Sequence, residues 1–381
     1  MTQLQTQPAS RVHEIDALRG FALAGILVAN IGFFADPGYA VAGAMPMPDG
    51  PVAYVISALV LTKFYVLFSF LFGYSFTLQM RAAERAGASV RARTLRRCLG
   101  LFLIGVAHGL LLWVGDILTL YAALGLLLLA LRNVRPRTAV VVATGIVGVL
   151  TLLWLALAGL VILDPGASGM PAADPAEAAR VLGLATGGPL DVLRMQFELY
   201  PPLAIMIWLF QGPTALAMFL LGLAAGKRRL LEDPERWWHL LSRVQWIGFG
   251  VGLPGGAFFA WSTGSPRWEL LGLAVNNVTS LLLTAAYVAT LLRVVRRFPA
   301  VGRALAPAGR VAASNYLGQS VLCCLVFTGY GLALAGRLSP LAVMGVAAAI
   351  YAVLLALSAW WLRSHRYGPV EYGLRRLTNW A

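Results

Sequence analysis

The sequence predicts an all-α fold: a polytopic integral-membrane helical bundle of about ten transmembrane helices with both termini cytoplasmic. Three observations predict it. Of 381 residues, 59% are hydrophobic and only 12% are charged, whereas a soluble domain is about a quarter charged; a water-facing surface cannot be built from this composition. The apolar residues fall into runs long enough to cross a ~30 Å hydrocarbon core, which takes roughly 20 helical residues. The charges between the runs alternate in sign from one side to the other. A soluble enzyme is excluded. The net charge of +14 therefore reads as membrane orientation and lipid attraction, with no nucleic-acid partner.

Ten spans are predicted, at 17–35, 51–80, 98–114, 117–131, 138–163, 201–226, 244–262, 270–292, 311–336 and 340–362. The first follows Arg11, Glu14, Asp16 and Arg19 and has no small-residue cleavage site after a short apolar stretch, so it is a retained helix and not a signal peptide. The run 51–80 has room for a tilted helix plus an interfacial turn, and 117–131 is short for a span. In the outer segment 164–200, Asp174, Pro175 and Glu177 form an N-cap, a first-position proline and a third-position acid, opening a helix through Leu182. Gly187, Gly188 and Pro189 then break the chain before an amphipathic stretch from Asp191 to Tyr200. This segment is either a lid over an outer-facing site or a connector. Gln211-Gly-Pro-Thr and Pro254-Gly-Gly mark kinks in the sixth and seventh spans.

The remainder divides simply. No internal repeat is visible, the Gln/Thr-rich first ten residues are expected to be disordered, and 17–362 forms one transmembrane domain after a cytoplasmic segment 1–16. In the tail 363–381, Val370, Leu374, Leu377 and Trp380 share one helical face, which describes an interfacial anchor. Cys98, Cys323 and Cys324 suggest neither a disulfide framework nor a metal site.

Insertion retains basic residues in the cytoplasm. The N-terminus, 81–97, 132–137, 227–243, 293–310 and the tail together carry +18, the opposite segments −5, with Lys63 inside a span. That balance places both termini inside.

Ionisable groups inside spans cost roughly 2.5–3.5 kcal/mol each on insertion scales, so each needs a partner or a task. Asp16 and Arg19 sit three residues apart and can pair at the inner mouth of the first helix. Asn30 lies near its outer end. Lys63 falls about twelve residues into the second span, near mid-membrane, where it can pair with a carboxylate or carry a substrate's negative charge. His108 is the sole histidine within a span, and imidazole exchanges protons near neutral pH. Asp116, eight residues on, lies ~12 Å along the axis and about 80° around it on a straight helix; a direct bond to His108 is not expected, any partner orienting His108 is expected from another helix, and Asp116, closing the helix at the outer surface, either receives substrate or caps the outer turn. Asn276, Asn277, Asn315, Gln319 and Gln211 read as interhelical hydrogen-bond glue. Arg81, Arg85, Arg91, Arg93, Arg96 and Arg97 follow from the inside-positive bias, and beside Arg19 they also suit a ligand bearing several phosphates.

Several runs resemble the YeiB-like family: Ile15 to Asn30 (IDALRGFALAGILVAN), Lys63 to Gly73 (KFYVLFSFLFG), Gly105 to Leu118 (GVAHGLLLWVGDIL), Gly212 to Gly222 (GPTALAMFLLG), Ser314 to Ser320 (SNYLGQS) and the ending Tyr367 to Tyr372 (YGPVEY). The resemblance covers nearly the whole chain, in order. Through Asp16-x-x-Arg19-Gly20 the family is distantly similar to the transmembrane acyltransferases, namely the acyltransferase-3 enzymes and the heparan glucosaminide N-acetyltransferase. Acyltransferase-3 members carry a histidine fourteen residues after that aspartate; here the position is Asn30, as in the glucosaminide enzyme.

The resemblance implies a multi-pass protein of the bacterial inner membrane that transfers an acyl group from cytoplasmic acyl-CoA or acetyl-CoA to an outer-face sugar, lipid or small metabolite. With Asn30 in place of the histidine, His108 is the expected general base, with Asn30 or Lys63 for the oxyanion, Asp116 for the acceptor, and Asp16, Arg19, Arg93, Arg96 and Arg97 for the CoA phosphates. No metal is expected; membrane lipid is the expected surrounding partner, and a homodimer is compatible with the sequence. The alternative is a small-solute transporter with His108, Lys63 and Asp116 as an intramembrane relay; a third reading is a non-catalytic membrane partner of an enzyme.

Overall fold

The computed structural model describes residues 13–42, 50–164, 174–232 and 234–379. The first ten residues, 165–173 of the 164–200 segment, and Trp380 lie outside the described residues. Every regular element among the described residues is a helix, and seven are long and apolar enough to cross a membrane. The protein is an all-α, multi-pass membrane protein.

Helix α1 (His13–Ala35) runs through the centre of the bundle, its apolar stretch mostly buried. The run expected at 51–80 is two helices, α3 (Pro51–Leu59) and α4 (Lys63–Arg85), after a short α2 (Gly38–Ala42). The break falls at Thr62, whose φ of 72° is unusual for a β-branched residue. Such a break inside a membrane needs its freed carbonyls satisfied, and side chains supply this: Tyr287 Oη donates to Leu59 O (2.8 Å) and Lys63 Nζ to Ser57 O (3.2 Å).

The chain continues through α5 (Val90–Leu111), α6 (Leu118–Ala130) and α7 (Pro136–Leu163), which leaves most of its surface to lipid. Helix α8 (Pro175–Thr186) starts as its sequence predicts, with Asp174 Oδ1 accepting from Ala176 N at 2.9 Å, and continues past Leu182. Gly187 and Gly188 end it. The stretch Asp191–Tyr200 is not a separate element: α9 (Pro189–Lys227) runs unbroken through Pro201, Pro202 and Pro213, because in a membrane helix neighbours can re-satisfy the carbonyls that proline frees. Arg180 ties α8 to α9, bonding Glu177 (2.7 Å) and Glu198 (2.9 Å), and its hydrogen bond holds the exposed Glu177 carboxyl below the usual carboxylate range.

The remaining helices are α10 (Trp238–Ser262), α11 (Glu269–Arg297), α12 (Pro299–Arg310), α13 (Ala312–Phe327), α14 (Pro340–Trp361) and α15 (Pro369–Thr378). Two expectations change here. Part of the segment read as a loop at 293–310 is helix α12, which packs along the first turns of α1. The ninth span ends at Phe327 and not at 336. The short predicted span 117–131 is the 13-residue α6. The core divides between a cluster around α1, α4 and α5, including Leu18, Leu67, Tyr74 and Leu101, one around α4, α6 and α9, and one toward the far end of α1, including Phe34, Trp113 and Phe327.

Candidate functional site

A cavity of about 2150 Å³ runs along the bundle. Arg19 and Phe33, both on α1, line it, so it extends at least ~21 Å along that helix at 1.5 Å per residue. One end is basic. Arg19, Arg93, Arg97, Arg310 and Arg375 border it together with Glu371. Arg19 is aimed by two bonds, to Asp16 Oδ1 (2.8 Å) and to Ser75 Oγ (2.6 Å), so the expected Asp16–Arg19 pair forms and Asp16 acts by holding Arg19. Arg96 does not line the cavity, whereas Arg93 and Arg97 do.

Helix α15 helps build this end. Leu374 is buried against α5, while Tyr367, Glu371, Arg375 and Thr378 line the mouth. The tail is thus part of the cavity wall as well as an amphipathic surface helix. Glu371 also caps α13: its Oε1 accepts from Ala313 N (2.7 Å) and Ser314 N (3.2 Å), and its Oε2 from Ser314 Oγ (2.6 Å).

The middle of the cavity is largely apolar, with Phe68, Leu71, Tyr121 and Phe210 in its wall and Asn30, Thr62, Asn276 and Asn277 as polar interruptions. The amide of Asn30 is engaged by no other side chain among the described residues. The expected glue holds at Asn276, Asn277, Asn315 and Gln319: for instance, Gln319 Nε2 donates to Leu23 O (2.9 Å) and Asn315 Nδ2 to Ala308 O (3.0 Å) and Ser358 Oγ (2.8 Å).

Lys63 departs from its expected role. It begins α4 instead of lying mid-helix, and it does not line the cavity. Its Nζ donates to Ser57 O and to Asn276 Oδ1 (3.0 Å) over the Phe259 ring, with no carboxylate among its partners in the described residues. A cation at the C-terminal end of α3 meets the negative pole of that helix and its unpaired carbonyls. Lys63 therefore holds the α3–α4 break together behind Asn276.

His108 and Asp116 are bonded directly, with Nδ1 donating to Oδ1 at 2.9 Å. The expectation of no bond assumed a straight helix through residue 116. Instead α5 ends at Leu111, where Leu112 N and Trp113 N both turn back to His108 O, and the chain reverses into α6. Asp116 is not at the surface; it is fully buried and its Oδ2 accepts from Thr119 N (3.0 Å). That position at the start of α6 places the carboxylate at the positive pole of a helix. The turn is covered by α9, whose Gln196 Nε2 donates to Leu112 O (2.9 Å).

An ionised Asp116 can only accept; in that state Nδ1 carries the ring proton and Nε2 presents a lone pair. That lone pair receives the hydroxyl of Ser320 on α13, at 2.8 Å. Neither His108, Asp116 nor Ser320 lines the cavity; Tyr316, one turn before Ser320, does, and its ring centroid lies 5.1 Å from that of His108. The phenol oxygen of Tyr316 has no hydrogen-bond partner among the described residues. Sequence reasoning passed over Tyr316, Ser320, Ser75, Arg310 and Arg375. The run Ser314 to Ser320, rich in polar groups within an apolar span, was the available signal for the first two. The arginines were hidden among many others.

Residues 225–381 match the family described as "Protein of unknown function (DUF418)". Over 99% of its length the chain is 30% identical to the uncharacterized protein YxaH of Bacillus subtilis (strain 168), covering 97% of that protein. It is 29% identical to an uncharacterized 39.9 kDa protein in the amylase 3' region of Bacillus acidopullulyticus, over 97% of this chain and 94% of the relative. With the uncharacterized protein YeiB of Escherichia coli (strain K12) it shares 27% identity, over 96% and 95% of the two chains. The end-to-end match with these relatives, together with the DUF418 match across the C-terminal helices, means that the chain belongs to the YeiB-like DUF418 family.

Proposed function

We propose that the protein is an acyltransferase of the bacterial inner membrane, taking an acyl group from cytoplasmic acyl-CoA or acetyl-CoA and passing it to an acceptor reached from the outer side. The observation that carries this reading is that one continuous cavity runs from a cluster of arginines to the wall beside His108. Its volume, about 2150 Å³, exceeds the ~300–1,000 Å³ of a small-ligand pocket, as a donor of the length of acyl-CoA requires.

In this reading Arg19, Arg93 and Arg97, with Arg310 and Arg375, hold the phosphates of the donor at the inner mouth. The pantetheine arm lies along the apolar middle. His108, oriented by Asp116, serves as the base that removes a proton from a hydroxyl or amine, and the amide of Asn30 faces the space where a carbonyl oxygen gains charge. The acceptor is a sugar, a lipid or a small metabolite. The likeness of Asp16-x-x-Arg19-Gly20 to transmembrane acyltransferases supports the same reading.

Titration of the protein in nanodiscs with CoA and acetyl-CoA tests it. Binding is expected to weaken steeply as salt rises, and Arg19→Ala or Arg97→Ala to weaken it about tenfold or more, as loss of a charge-assisted bond does. Absence of binding at low salt overturns the donor assignment. Solute flux in proteoliposomes without any acyl donor would favour a transporter instead.

A further inference from the structure

Three buried side chains from three separate elements meet in one line. Asp116 stands at the start of α6, His108 on α5 and Ser320 on α13, with successive distances of 2.9 Å and 2.8 Å. All three are at least nine-tenths buried. Asp116 is itself held by Thr119 N, so the carboxylate, the imidazole and the hydroxyl each have a set orientation. This is the order of contacts in a carboxylate–imidazole–hydroxyl relay, in which the carboxylate selects the tautomer and the ring removes the hydroxyl proton.

The direction of the Ser320 hydroxyl is the second observation. Helical serines and threonines often return their proton to the carbonyl four residues back, as Thr279, Thr284 and Thr290 do here. Ser320 Oγ is bonded to His108 Nε2 instead, at 2.8 Å. The third is access. Tyr316 lies one helical turn before Ser320, borders the cavity, and carries a buried phenol oxygen without a partner. Displacement of the Tyr316 ring would open the cavity toward the next turn of α13, where Ser320 stands.

We propose that Ser320 is a catalytic nucleophile that carries the acyl group as an ester between donor and acceptor, with Tyr316 as the gate between it and the cavity. This rests on the acyl-CoA reading for the identity of the donor. As the bond from Ser320 Oγ to the thioester carbonyl carbon forms, the hydroxyl proton moves to His108 Nε2. The carbon–sulfur bond breaks, and the thiol leaves with that proton. An acceptor hydroxyl or amine then gives its proton to Nε2 and attacks the ester carbon. The Oγ–carbon bond breaks and Ser320 recovers the proton. Donor and acceptor use the cavity in turn, so the kinetics are ping-pong.

An alkyl fluorophosphonate, which captures activated serines without any CoA, tests the nucleophile directly. Peptide mass spectrometry is expected to place the adduct on Ser320 in the full-length protein. The adduct should vanish in Ser320→Ala and form roughly a thousandfold or more slowly in His108→Ala and Asp116→Asn, each variant being checked for an unchanged thermal midpoint. Tyr316→Ala should label faster than wild type. If neither wild type nor Tyr316→Ala gives a Ser320 adduct, the proposal is overturned.

Radiolabelled acetyl-CoA separates the two readings. Hydroxylamine-labile label on Ser320 supports the ester. Acetyl transfer at the wild-type rate in Ser320→Ala removes the nucleophile and leaves the donor assignment standing, whereas a phosphonate adduct without CoA binding keeps the nucleophile and removes the donor.

Discussion

At the scale of single residues, burial turns ordinary side chains into strict geometric requirements. Gly105 on α5 lies against the start of α6: a Cβ there would sit 2.8 Å from Asp116 Oδ2 and 2.7 Å from Thr119 N. Even one methyl group would push the Asp116 carboxylate away from His108. Gly105→Ala is therefore expected to destabilise the protein by about 1–3 kcal/mol, the usual cost of overpacking, and to slow any chemistry that depends on His108. Gly148, on the lipid-facing α7, has nothing within 4 Å of its Cβ position, so Gly148→Ala should leave the thermal midpoint unchanged or slightly higher. Thermal unfolding of both variants in the same detergent checks the contrast; equal midpoints would show that the α5–α6 contact is not tight. Lys63 gives the complementary lesson. Its charge suggested a functional group, but its partners are a helix carbonyl and an amide, which makes it a clasp.

At the scale of elements, α13 depends on α15. The first turn of any helix exposes backbone N–H groups that need partners, and α13 has no side-chain cap of its own. Glu371 reaches across from the tail to serve Ala313 N, Ser314 N and Ser314 Oγ. This gives a physical reason for the ending Tyr367 to Tyr372: Pro369 starts α15 and sets Glu371 opposite α13. Glu371→Ala should cost about 1–2 kcal/mol, in the range of a lost cap, and should raise amide hydrogen exchange at residues 313–316 before it does so in α14. Because α13 carries Tyr316 and Ser320, activity is expected to fall more than the stability loss alone accounts for. Unchanged exchange at 313–316 would show that the cap is dispensable.

For the whole molecule, the arginines of one cavity end and the mainly acidic opposite segments set an orientation. The basic side is expected in the cytoplasm. In cells expressing the protein, Glu84→Cys should resist a membrane-impermeant maleimide until the membrane is broken, while Gly183→Cys should label in intact spheroplasts; both positions are exposed, and the three native cysteines are buried. The reverse pattern would invert the topology and with it the side from which a phosphate-bearing donor arrives.

Much of this was legible from the sequence alone. Composition and the length of the apolar runs determined the all-α membrane class, because every backbone polar group in lipid must be satisfied in a helix or a closed barrel, and continuous apolar runs of about twenty residues fit the helix. Residue spacing determined the Asp16–Arg19 pair and the start of α8, because both are contacts between neighbours in the chain. Only the tertiary structure decided the site. The reversal after Leu111 brings Asp116 back onto His108, and α13 delivers Ser320 from more than two hundred residues away. No periodicity encodes such meetings, since they depend on where separate helices end and pack.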